Sequence, residues 1–335
     1  MTLFGITFDR FLGALLAAII AAIIAPSLGM TGGILHVDFI AQYGVGLVFF
    51  LYGLTLDPAR MRAGLGHYRL HIIVQSSTFL LFPLIVLALH ALINPVLTEE
   101  AWTGFFFVAA LPSTVSSSVA MVSLARGNVP AAIFNATLSS LIGVLVTPAL
   151  MAWYLSRSSM PLDLSSVIVK VLALVLLPIV LGYGARHWLA AWAARRKPII
   201  QLADRGVIVA IVYNSFCDSI HKGVWSASNA DLIIGIIIGA IALFALVYLL
   251  ITLLCNALGF SVEDRIACTF CASKKSLATG APMGAMMFGG QAAFGILIAP
   301  IILYHFCQLV ITSVIASHFA RSAKARDAHA HGERA

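Results

Sequence analysis

Residues Thr269 to Met287 read TFCASKKSLATGAPMGAMM and place two adjacent lysines, Lys274 and Lys275, inside a long apolar stretch with no acidic residue beside them. An ammonium group in the middle of a bilayer costs about 2.5–3.5 kcal/mol on insertion scales, so it needs a partner, a water-filled cavity or a ligand. The flanking serine, threonine, glycine, alanine and proline residues favour a helix that is interrupted here, with free backbone groups. The alternative is a helix end from which both lysines reach the headgroups.

The composition of the whole chain indicates a membrane protein. Its 335 residues are 61% hydrophobic and only 10% charged, whereas soluble domains average about 25% charged residues. At about 20 residues per span, about ten transmembrane helices fit into this length. The basic residues behind the net charge of +7 fall mostly in short loops between apolar runs, so they do not indicate a nucleic-acid partner. All five cysteines lie in apolar stretches, which argues against a disulfide framework.

Ten hydrophobic segments can be assigned along the chain. Their predicted bounds are 10–29, 37–56, 69–94, 101–125, 129–155, 164–187, 205–222, 230–257, 262–288 and 292–319. A polar tail rich in histidine and alanine, residues 320–335, is predicted to be disordered and cytoplasmic. We therefore predict an all-α polytopic membrane protein with ten transmembrane helices.

The distribution of basic residues predicts the orientation of the protein in the membrane. With the N-terminus inside, the inner loops and chain ends hold fifteen arginines and lysines, whereas the outer loops hold only Arg157 and Lys222. Cytoplasmic loops are enriched in these residues, so both termini are predicted to be cytoplasmic. The three other basic residues, Lys170, Lys274 and Lys275, lie within predicted spans. We expect a multi-pass protein of the plasma (inner) membrane.

The ten segments divide into two sets of five, residues 1–156 and 162–319. An odd number of spans in each half gives the halves opposite orientations, which is the arrangement of an inverted repeat. The fourth segment of each half is rich in small and hydroxyl residues, after Pro112 in one and around the lysine pair in the other. We predict that both helices are broken, near Pro112–Ser117 and Ser273–Ser276, and that they cross at the centre of a transporter.

Polar residues on neighbouring segments extend this predicted site. Asn135 and Ser139 are four residues apart and share a face of the fifth helix. Gln75 and Thr78 lie one turn apart on the third. Their hydroxyl and amide oxygens suit Na⁺, although such residues also commonly hold transmembrane helices together. The predicted substrate- or ion-binding residues are Gln75, Thr78, Ser116, Ser117, Ser118, Asn135, Ser139, Thr269, Ser273, Lys274, Lys275 and Ser276.

Asp218 is a separate candidate, near the outer end of the seventh segment. An acidic residue within a membrane segment is a functional candidate by default. It could equally lie at the membrane interface beside His221 and Lys222, so both interpretations stay open.

Four sequence motifs identify a family resemblance. They are FLYGLTLD at residues 50–57, ARGN at 125–128, LGFSVEDR at 258–265 and FCASKKSL at 270–277. With these motifs, over nearly all of residues 10–318, the chain resembles the bile acid:sodium symporter family, and in it the bacterial bile-acid-symporter-like branch and its vertebrate orphan relative. The resemblance implies a core domain of spans 3–5 and 8–10 and a panel domain of spans 1, 2, 6 and 7. It also implies substrate binding between the domains and alternating access.

The resemblance places the family's sodium-binding residues only in part. A Ser-Asn pair in span 4 of the family falls on Ser117 and Ser118, so the asparagine is missing. The hydroxyl of span 5 falls on or near Asn135, and the glutamine of span 3 falls near Thr78, one turn from Gln75. Na⁺ is therefore expected at Ser117, Ser118 and Asn135.

The departure from the family is largest in span 9. The positions of the family's sodium-binding glutamate and of the Gln-Asn that follows it fall at about Thr269, Ser273 and Lys274. The carboxylate is thus absent, and a nearby ammonium would repel a sodium ion by about 4 kcal/mol at 4 Å in a dielectric near 20. One physical solution is that a lysine replaces one sodium ion. We expect Lys275 to bind free carbonyl groups as a structural cation, and Lys274 to face the gap between the domains.

These observations predict a secondary-active transporter for a small organic anion, driven by Na⁺ or by protons and using no other cofactor. The alternative is a regulatory membrane protein that keeps the fold without transport. An enzyme is not predicted, because Ser273 and Lys275 point apart on a helix and no metalloprotease or paired-aspartate motif occurs.

Overall fold

The computed structural model describes residues 2–3, 6–7, 10–55, 66–93, 96–157, 172–221, 230–289 and 294–332. A short antiparallel pair of strands near the N-terminus, β1 (Thr2–Leu3) and β2 (Ile6–Thr7), precedes the helices. The rest of the described chain is helical apart from turns and short connections.

Eight helices belong to the first half of the chain. They are α1 (Arg10–Ile24), α2 (Pro26–Gly29), α3 (Val37–Thr55), α4 (Tyr68–Ser76), α5 (Phe82–Ile93), α6 (Glu99–Ala110), α7 (Ser116–Leu124) and α8 (Val129–Leu155). A single π-helical stretch, Ser77–Leu81, joins α4 to α5 without a break in the rod.

Six further helices follow in the second half, where the π-helical stretch Leu172–Leu176 leads into the first of them. They are α9 (Leu177–Arg195), α10 (Lys197–His221), α11 (Ala230–Ala257), α12 (Val262–Ala272), α13 (Leu277–Phe288) and α14 (Phe294–Gly332).

Seven helical rods of the described chain are long and apolar enough to cross a membrane. They are Val37–Thr55, Tyr68–Ile93, Val129–Leu155, Ala173–Arg195, Pro198–His221, Ala230–Ala257 and Phe294–Ser322. Gly13–Ile24 is a shorter apolar helix. The protein is thus helical and polytopic, as its composition predicts. The predicted fourth and ninth segments do not qualify as single rods, because each is divided into two shorter helices.

Side-chain caps begin four helices at the centre of the fold. Thr98 caps α6, Asn128 caps α8, Ser261 caps α12 and Ser276 caps α13, each by accepting a hydrogen bond from the backbone N–H three residues later. Such caps satisfy one of the N–H groups that a helix leaves free at its start. The caps fix where both halves of the ninth segment and the first half of the fourth begin.

Helices α3 and α9 approach each other very closely. A Cβ atom on Gly53 would lie 2.1 Å from the carbonyl oxygen of Ile179, and one on Gly182 would lie 2.1 Å from that of Phe50. Small residues let transmembrane backbones come into contact. Helix α10 packs on α3 and on α1. Around the two divided segments, α6 packs on α14, while α12 packs on α4, α8 and α11.

Two predicted boundaries differ from the structure. The sixth and seventh segments were expected to be separated by residues 188–204, but α9 continues to Arg195 and α10 begins at Lys197. The tail predicted to be disordered, 320–335, begins inside α14, which continues to Gly332. Alanine is the strongest helix former and recurs through this tail, and glycine ends the helix. Residues 333–335 and Lys170 lie outside the described part of the chain.

Candidate functional site

The first interruption separates α6, which ends at Ala110, from α7, which begins at Ser116. Its cause is local. Leu111 is extended, with φ −71° and ψ 151°, because a proline disfavours the α conformation in the residue before it. The prediction that this segment is broken is confirmed. Backbone carbonyl groups at the end of α6 therefore lose their partners within the helix and need others.

Two of these carbonyl groups are bound by different parts of the fold. The Thr147 hydroxyl, on α8, donates to the carbonyl oxygen of Ala110 at 2.7 Å. The backbone N–H of Ser276, in the second interruption, donates to the carbonyl oxygen of Pro112 at 2.9 Å. The backbone at the end of α6 is thus anchored both to α8 and to the second broken segment.

Lys275 binds two further carbonyl groups of this end and one carbonyl group from the stretch between α4 and α5. Its Nζ donates to the carbonyl oxygens of Ala109 at 2.7 Å, Leu111 at 2.8 Å and Thr78 at 2.8 Å. The same Nζ lies 4.1 Å from the centre of the Phe82 ring, and the side chain is fully buried. All three ammonium protons are therefore used, and the aromatic face adds an attraction for the cation. The expectation that Lys275 binds free carbonyl groups is confirmed.

The carbonyl group of Thr78 is available because of the π-helical stretch between α4 and α5. Phe82, which would donate to Thr78 in an α-helix, donates instead to Ser77. The residue five positions after Thr78 is Pro83, which has no N–H to give. Pro83, inside an apolar segment, is the sequence feature from which the free carbonyl group of Thr78 could have been predicted.

The second interruption lies between α12, which ends at Ala272, and α13, which begins at Leu277. It contains no proline. Its backbone is held from α14, where the side-chain amide of Gln308 accepts from the N–H of Lys275 at 2.7 Å and donates to its carbonyl oxygen at 2.8 Å. The Tyr304 hydroxyl donates to the carbonyl oxygen of Ser273 at 2.7 Å. The predicted break in this segment is confirmed.

Sequence reasoning missed both Tyr304 and Gln308. The two residues are four apart, so they share one face of α14, and both are fully buried. A polar pair at helical spacing within the tenth apolar segment was the available signal.

Hydrogen bonds also run from the first interruption to the second. The Ser113 hydroxyl donates to the carbonyl oxygen of Cys271, and the Ser118 hydroxyl donates to that of Phe270 at 3.4 Å. The backbone N–H of Ser113 is taken by the hydroxyl of Ser139 on α8, at 2.9 Å. Together with the bond between Ser276 and Pro112, these contacts join the two interruptions directly.

The predicted sodium ligands fall into two hydrogen-bonded groups. Ser117 donates to the Thr114 hydroxyl at 2.8 Å, and the Thr114 and Ser118 hydroxyls form a hydrogen bond of 2.7 Å in which either can donate. Asn135 instead accepts from Gln75 on α4, at 3.2 Å, through its side-chain oxygen. Within the described residues no hydrogen bond joins the two groups. Ser116 is exposed.

Asn135 is the centre of a buried polar group between α4 and α8. Its Nδ2 lies 2.9 Å from Nδ1 of His71 and donates to the carbonyl oxygen of Ala131 at 2.9 Å. Gln75 donates to the backbone carbonyl of Asn135 as well as to its side chain, at 3.2 Å, while its own Oε1 is buried without a partner in the described chain. These contacts hold α4 against α8.

Lys274 is as deeply buried as Lys275 but has a different environment. Its side chain is 0% exposed, and its Nζ has no hydrogen-bond partner among the described residues. We expected it to face a gap between two domains. That expectation is wrong for this conformation, because protein atoms cover the side chain completely. Thr269 also has a buried hydroxyl without a partner in the described chain, and its carbonyl oxygen accepts from Ser273.

Asp218 has a structural contact in this conformation. Its two carboxylate oxygens accept from the backbone N–H and the hydroxyl of Thr31, each at 2.7 Å. Asn214, one turn earlier on α10, donates to the carbonyl oxygen of Gly29 at 2.9 Å. Asp218 therefore ties α10 to the turn after α2. Lys222, which was considered beside it, lies outside the described residues.

Comparison with known proteins gives one consistent result. The family model described as the SBF-like CPA transporter family matches residues 9–321. A protein of Pseudomonas aeruginosa with uncharacterized function is 39% identical over 313 residues, which is 93% of each chain. YfeH of Escherichia coli, whose name marks it as a proposed symporter, is 34% identical over 83% of each chain. Sodium/bile acid cotransporter 7 of Danio rerio is 33% identical over 87% of each chain.

The family match covers all the residues that build the two interruptions, and the relatives align along most of their own length. The relatives with functional names are named as a proposed symporter and a cotransporter, not as enzymes. The resemblance inferred from the sequence motifs is therefore confirmed, and the chain belongs to the SBF-like CPA transporter family.

Proposed function

We propose that this protein is a secondary-active transporter that carries a small organic anion by alternating access at the two interruptions. The observation that carries the proposal is the buried Lys275 ammonium, which belongs to one broken segment and binds two carbonyl groups of the other. Unwound backbone at membrane depth is tolerated where it is buried in protein or lines a cavity, and in transporters it forms the binding site. The zebrafish relative is named for bile acids, which are organic anions.

The proposed architecture has ten spans in two inverted repeats, residues 1–156 and 162–319. Counting each divided segment as one span, the helices supply one candidate for every predicted span, with α6–α7 fourth and α12–α13 ninth. Both interruptions thus occupy the fourth place in their half. Matching positions of broken helices are what an inverted repeat produces.

The proposed domains follow the packing of the helices. Helices α4 to α8 and α11 to α14 correspond to the core, in which α6 packs on α14 and α12 packs on α4, α8 and α11. Helices α1, α3, α9 and α10 correspond to the panel, in which α3 packs on both α9 and α10. Rocking of the core against the panel would expose the site to each side in turn.

The proposed location is the plasma (inner) membrane, with both termini in the cytoplasm. The support is the bias of basic residues, with fifteen on the proposed inner side and two on the outer side. The even number of spans places the two termini on the same side.

The proposed substrate is an anion because positive charge and helix starts converge at the interruptions. Helices α7 and α13 both begin there, and their N-termini carry partial positive charge. Lys274 follows in the second interruption, with an amine that has no protein acceptor in the described chain. The proposed binding residues are the set predicted from the sequence, of which Ser118, Ser139, Lys275 and Ser276 lie directly at the contact between the interruptions.

The proposed role of Lys275 is that of a cation held within the protein, in place of one sodium ion. Three carbonyl oxygens around one charge resemble the oxygen shell of a bound cation, and the ammonium already fills this shell. The ion that drives transport must then bind at another site in the protein. Na⁺ and the proton are the two candidates for this ion.

The test is a binding screen followed by transport. Purified protein in detergent is heated with bile acids, other organic carboxylates and organic sulfates, with Na⁺, K⁺ and pH varied at constant ionic strength. We expect one class of anion to raise the melting temperature, as a ligand specific for the folded state must. The stabilising anion is then tested, as a radiolabelled compound, for uptake into proteoliposomes.

A matched control is Asp218→Asn, because Asp218 contacts Thr31 and not the interruptions. This variant should keep anion binding, whereas Lys274→Met should lose it. If no anion of these classes stabilises the protein and none enters proteoliposomes, the proposed function is wrong.

A further inference from the structure

Lys274 and Lys275 are neighbours in sequence and equally buried, yet only one of them is bonded. The Nζ of Lys275 donates hydrogen bonds to three carbonyl oxygens. The Nζ of Lys274 has no hydrogen-bond acceptor in the described chain. Burying an ammonium group without a partner costs far more than burying a neutral amine. These contacts favour a charged ammonium at Lys275 and a neutral amine at Lys274 in this conformation.

The surroundings of Lys274 favour the neutral form further. The Cys271 thiol, one turn before it, is the titratable group that faces the amine, and the charged Lys275 is the next residue. On the helices packed against α12, His71 of α4 lies beside Asn135, and the Cys255 thiol of α11 is hydrogen-bonded to the Cys268 thiol. No carboxylate among the described residues forms an ion pair with Lys274. A second positive charge beside Lys275 would therefore be repelled without compensation.

The situation reverses when the proposed rocking of the core against the panel opens the interruptions to solvent. Water or an anionic substrate would supply the acceptor that the closed protein lacks, and the amine can then hold a proton. We propose that Lys274 is the proton-binding site of the transport cycle. This inference rests on the proposed function and deepens it, because it makes the proton the coupled ion.

The proposed step is a simple protonation without any redox change. The amine of Lys274 takes one proton from solvent in the open conformation and becomes an ammonium that pairs with the anion. On the other side the anion leaves, the proton returns to solvent, and the amine can be buried again. One proton and one negative charge on the substrate therefore cross together.

The charge of Lys274 can be measured directly by nitrogen-15 NMR. The full chain is labelled at lysine Nζ and reconstituted in lipid, and neutral amines are distinguished from ammonium groups by their chemical shift. At pH 7 we expect one amine signal, which is lost in Lys274→Met and kept in the control Lys197→Gln at the start of α10. If every lysine nitrogen is an ammonium between pH 6 and pH 8, the inference is overturned.

A second measurement links the charge to opening. Cys271 is fully buried next to Lys274, so N-ethylmaleimide can label it only when the interruptions open. The other cysteines are replaced, and the labelling rate at each pH is divided by that of the same protein with Lys274→Met at the same pH. The ratio should rise as the pH is lowered, by up to about tenfold per pH unit. A ratio that does not change with pH overturns the inference.

These measurements separate the two proposals. If the NMR signal shows an ammonium while an anion is still transported, the proton site is wrong and the transport function stands. If the amine is present but no anion binds or is transported, the proposed function is wrong. Lys274→Arg provides a further check, because it cannot release its proton and should stay open to N-ethylmaleimide at every pH tested.

Discussion

The two interruptions occupy matching places in their halves of the chain but are built differently. The first is produced by Pro112, which forces Leu111 out of the helical conformation. The second contains no proline, and its backbone is held by Tyr304 and Gln308 from α14. One break is therefore encoded by the residues at the break itself, and the other by residues about thirty positions later in the chain.

The two interruptions are also chemically complementary. The first has released carbonyl groups and hydroxyls but no charged residue between α6 and α7. The second supplies a cation and a backbone N–H, and these bind the carbonyl groups of the first. Carbonyl groups left free at the break in the first half are thus hydrogen-bonded by donors from the second half. The two interruptions are therefore equivalent in position but not in chemistry.

Lys275→Ala should have the largest effect. The variant leaves three buried carbonyl oxygens without a donor, and each such group costs about 1–3 kcal/mol. We expect the free energy of unfolding to fall by about 3 kcal/mol or more, measured by thermal unfolding in detergent. Propylammonium replaces the atoms that the substitution removes, so it should restore part of the lost stability, whereas 1-propanol should not.

The response to Na⁺ tests whether Lys275 takes the place of a sodium ion. If the lysine takes the place of a sodium ion, added Na⁺ should rescue Lys275→Ala little. Strong stabilisation of the wild type by Na⁺ at fixed ionic strength, left unchanged by Lys275→Ala, would show that the lysine does not replace a sodium ion. The two interruptions would then be joined through an ordinary sodium site.

Gln308→Leu should have the next largest effect and should act on the second interruption. The substitution removes both hydrogen bonds to the backbone of Lys275, so two buried backbone groups lose their partners. The expected loss is about 2 kcal/mol in the free energy of unfolding. Thr312→Val is the matched control, because the Thr312 hydroxyl lies one turn further on α14 and, within the described chain, bonds to the carbonyl oxygen of Gln308. Equal losses in both variants would mean that Gln308 does not hold the break.

The sequence predicted those parts of this site that depend on local chemistry. The proline at the first break and the uncompensated lysines at the second are visible in the sequence, and both breaks are where they were predicted. Gln308 and Tyr304 could not be placed, because their contact with the second break depends on how α14 packs. The lack of an acceptor for the Lys274 amine in the described chain likewise depends on the packing around it. The adjacent residue Lys275 has three acceptors.

Pro112→Ala should have a smaller effect on stability. Alanine would allow α6 to continue, but the carbonyl groups at its end are bound by Thr147, Ser276 and Lys275. These tertiary contacts should keep the break open while the residue loses its conformational restriction, at a cost of about 1 kcal/mol. The measurement is thermal unfolding, with amide hydrogen exchange of residues 110–116 as the structural readout. Strong new protection across these residues would show that the proline alone maintains the break.

Lys274→Met should have the smallest effect on stability, and it is the closest test of how the second interruption uses its two lysines. The substitution keeps the apolar stem at similar length and removes a nitrogen that has no acceptor in the described chain. Because no hydrogen bond is lost and no buried polar atom remains unsatisfied, the free energy of unfolding should change by less than about 1 kcal/mol or rise.

Lys275→Met is the paired comparison, since it changes the same atoms one residue later and leaves three carbonyl oxygens without a donor. A difference between the two variants of at least about 2 kcal/mol is expected from thermal unfolding at pH 7. If instead Lys274→Met is as destabilising as Lys275→Met, then Lys274 also braces the interruption, and its buried nitrogen cannot be the neutral, exchangeable site that the transport cycle requires.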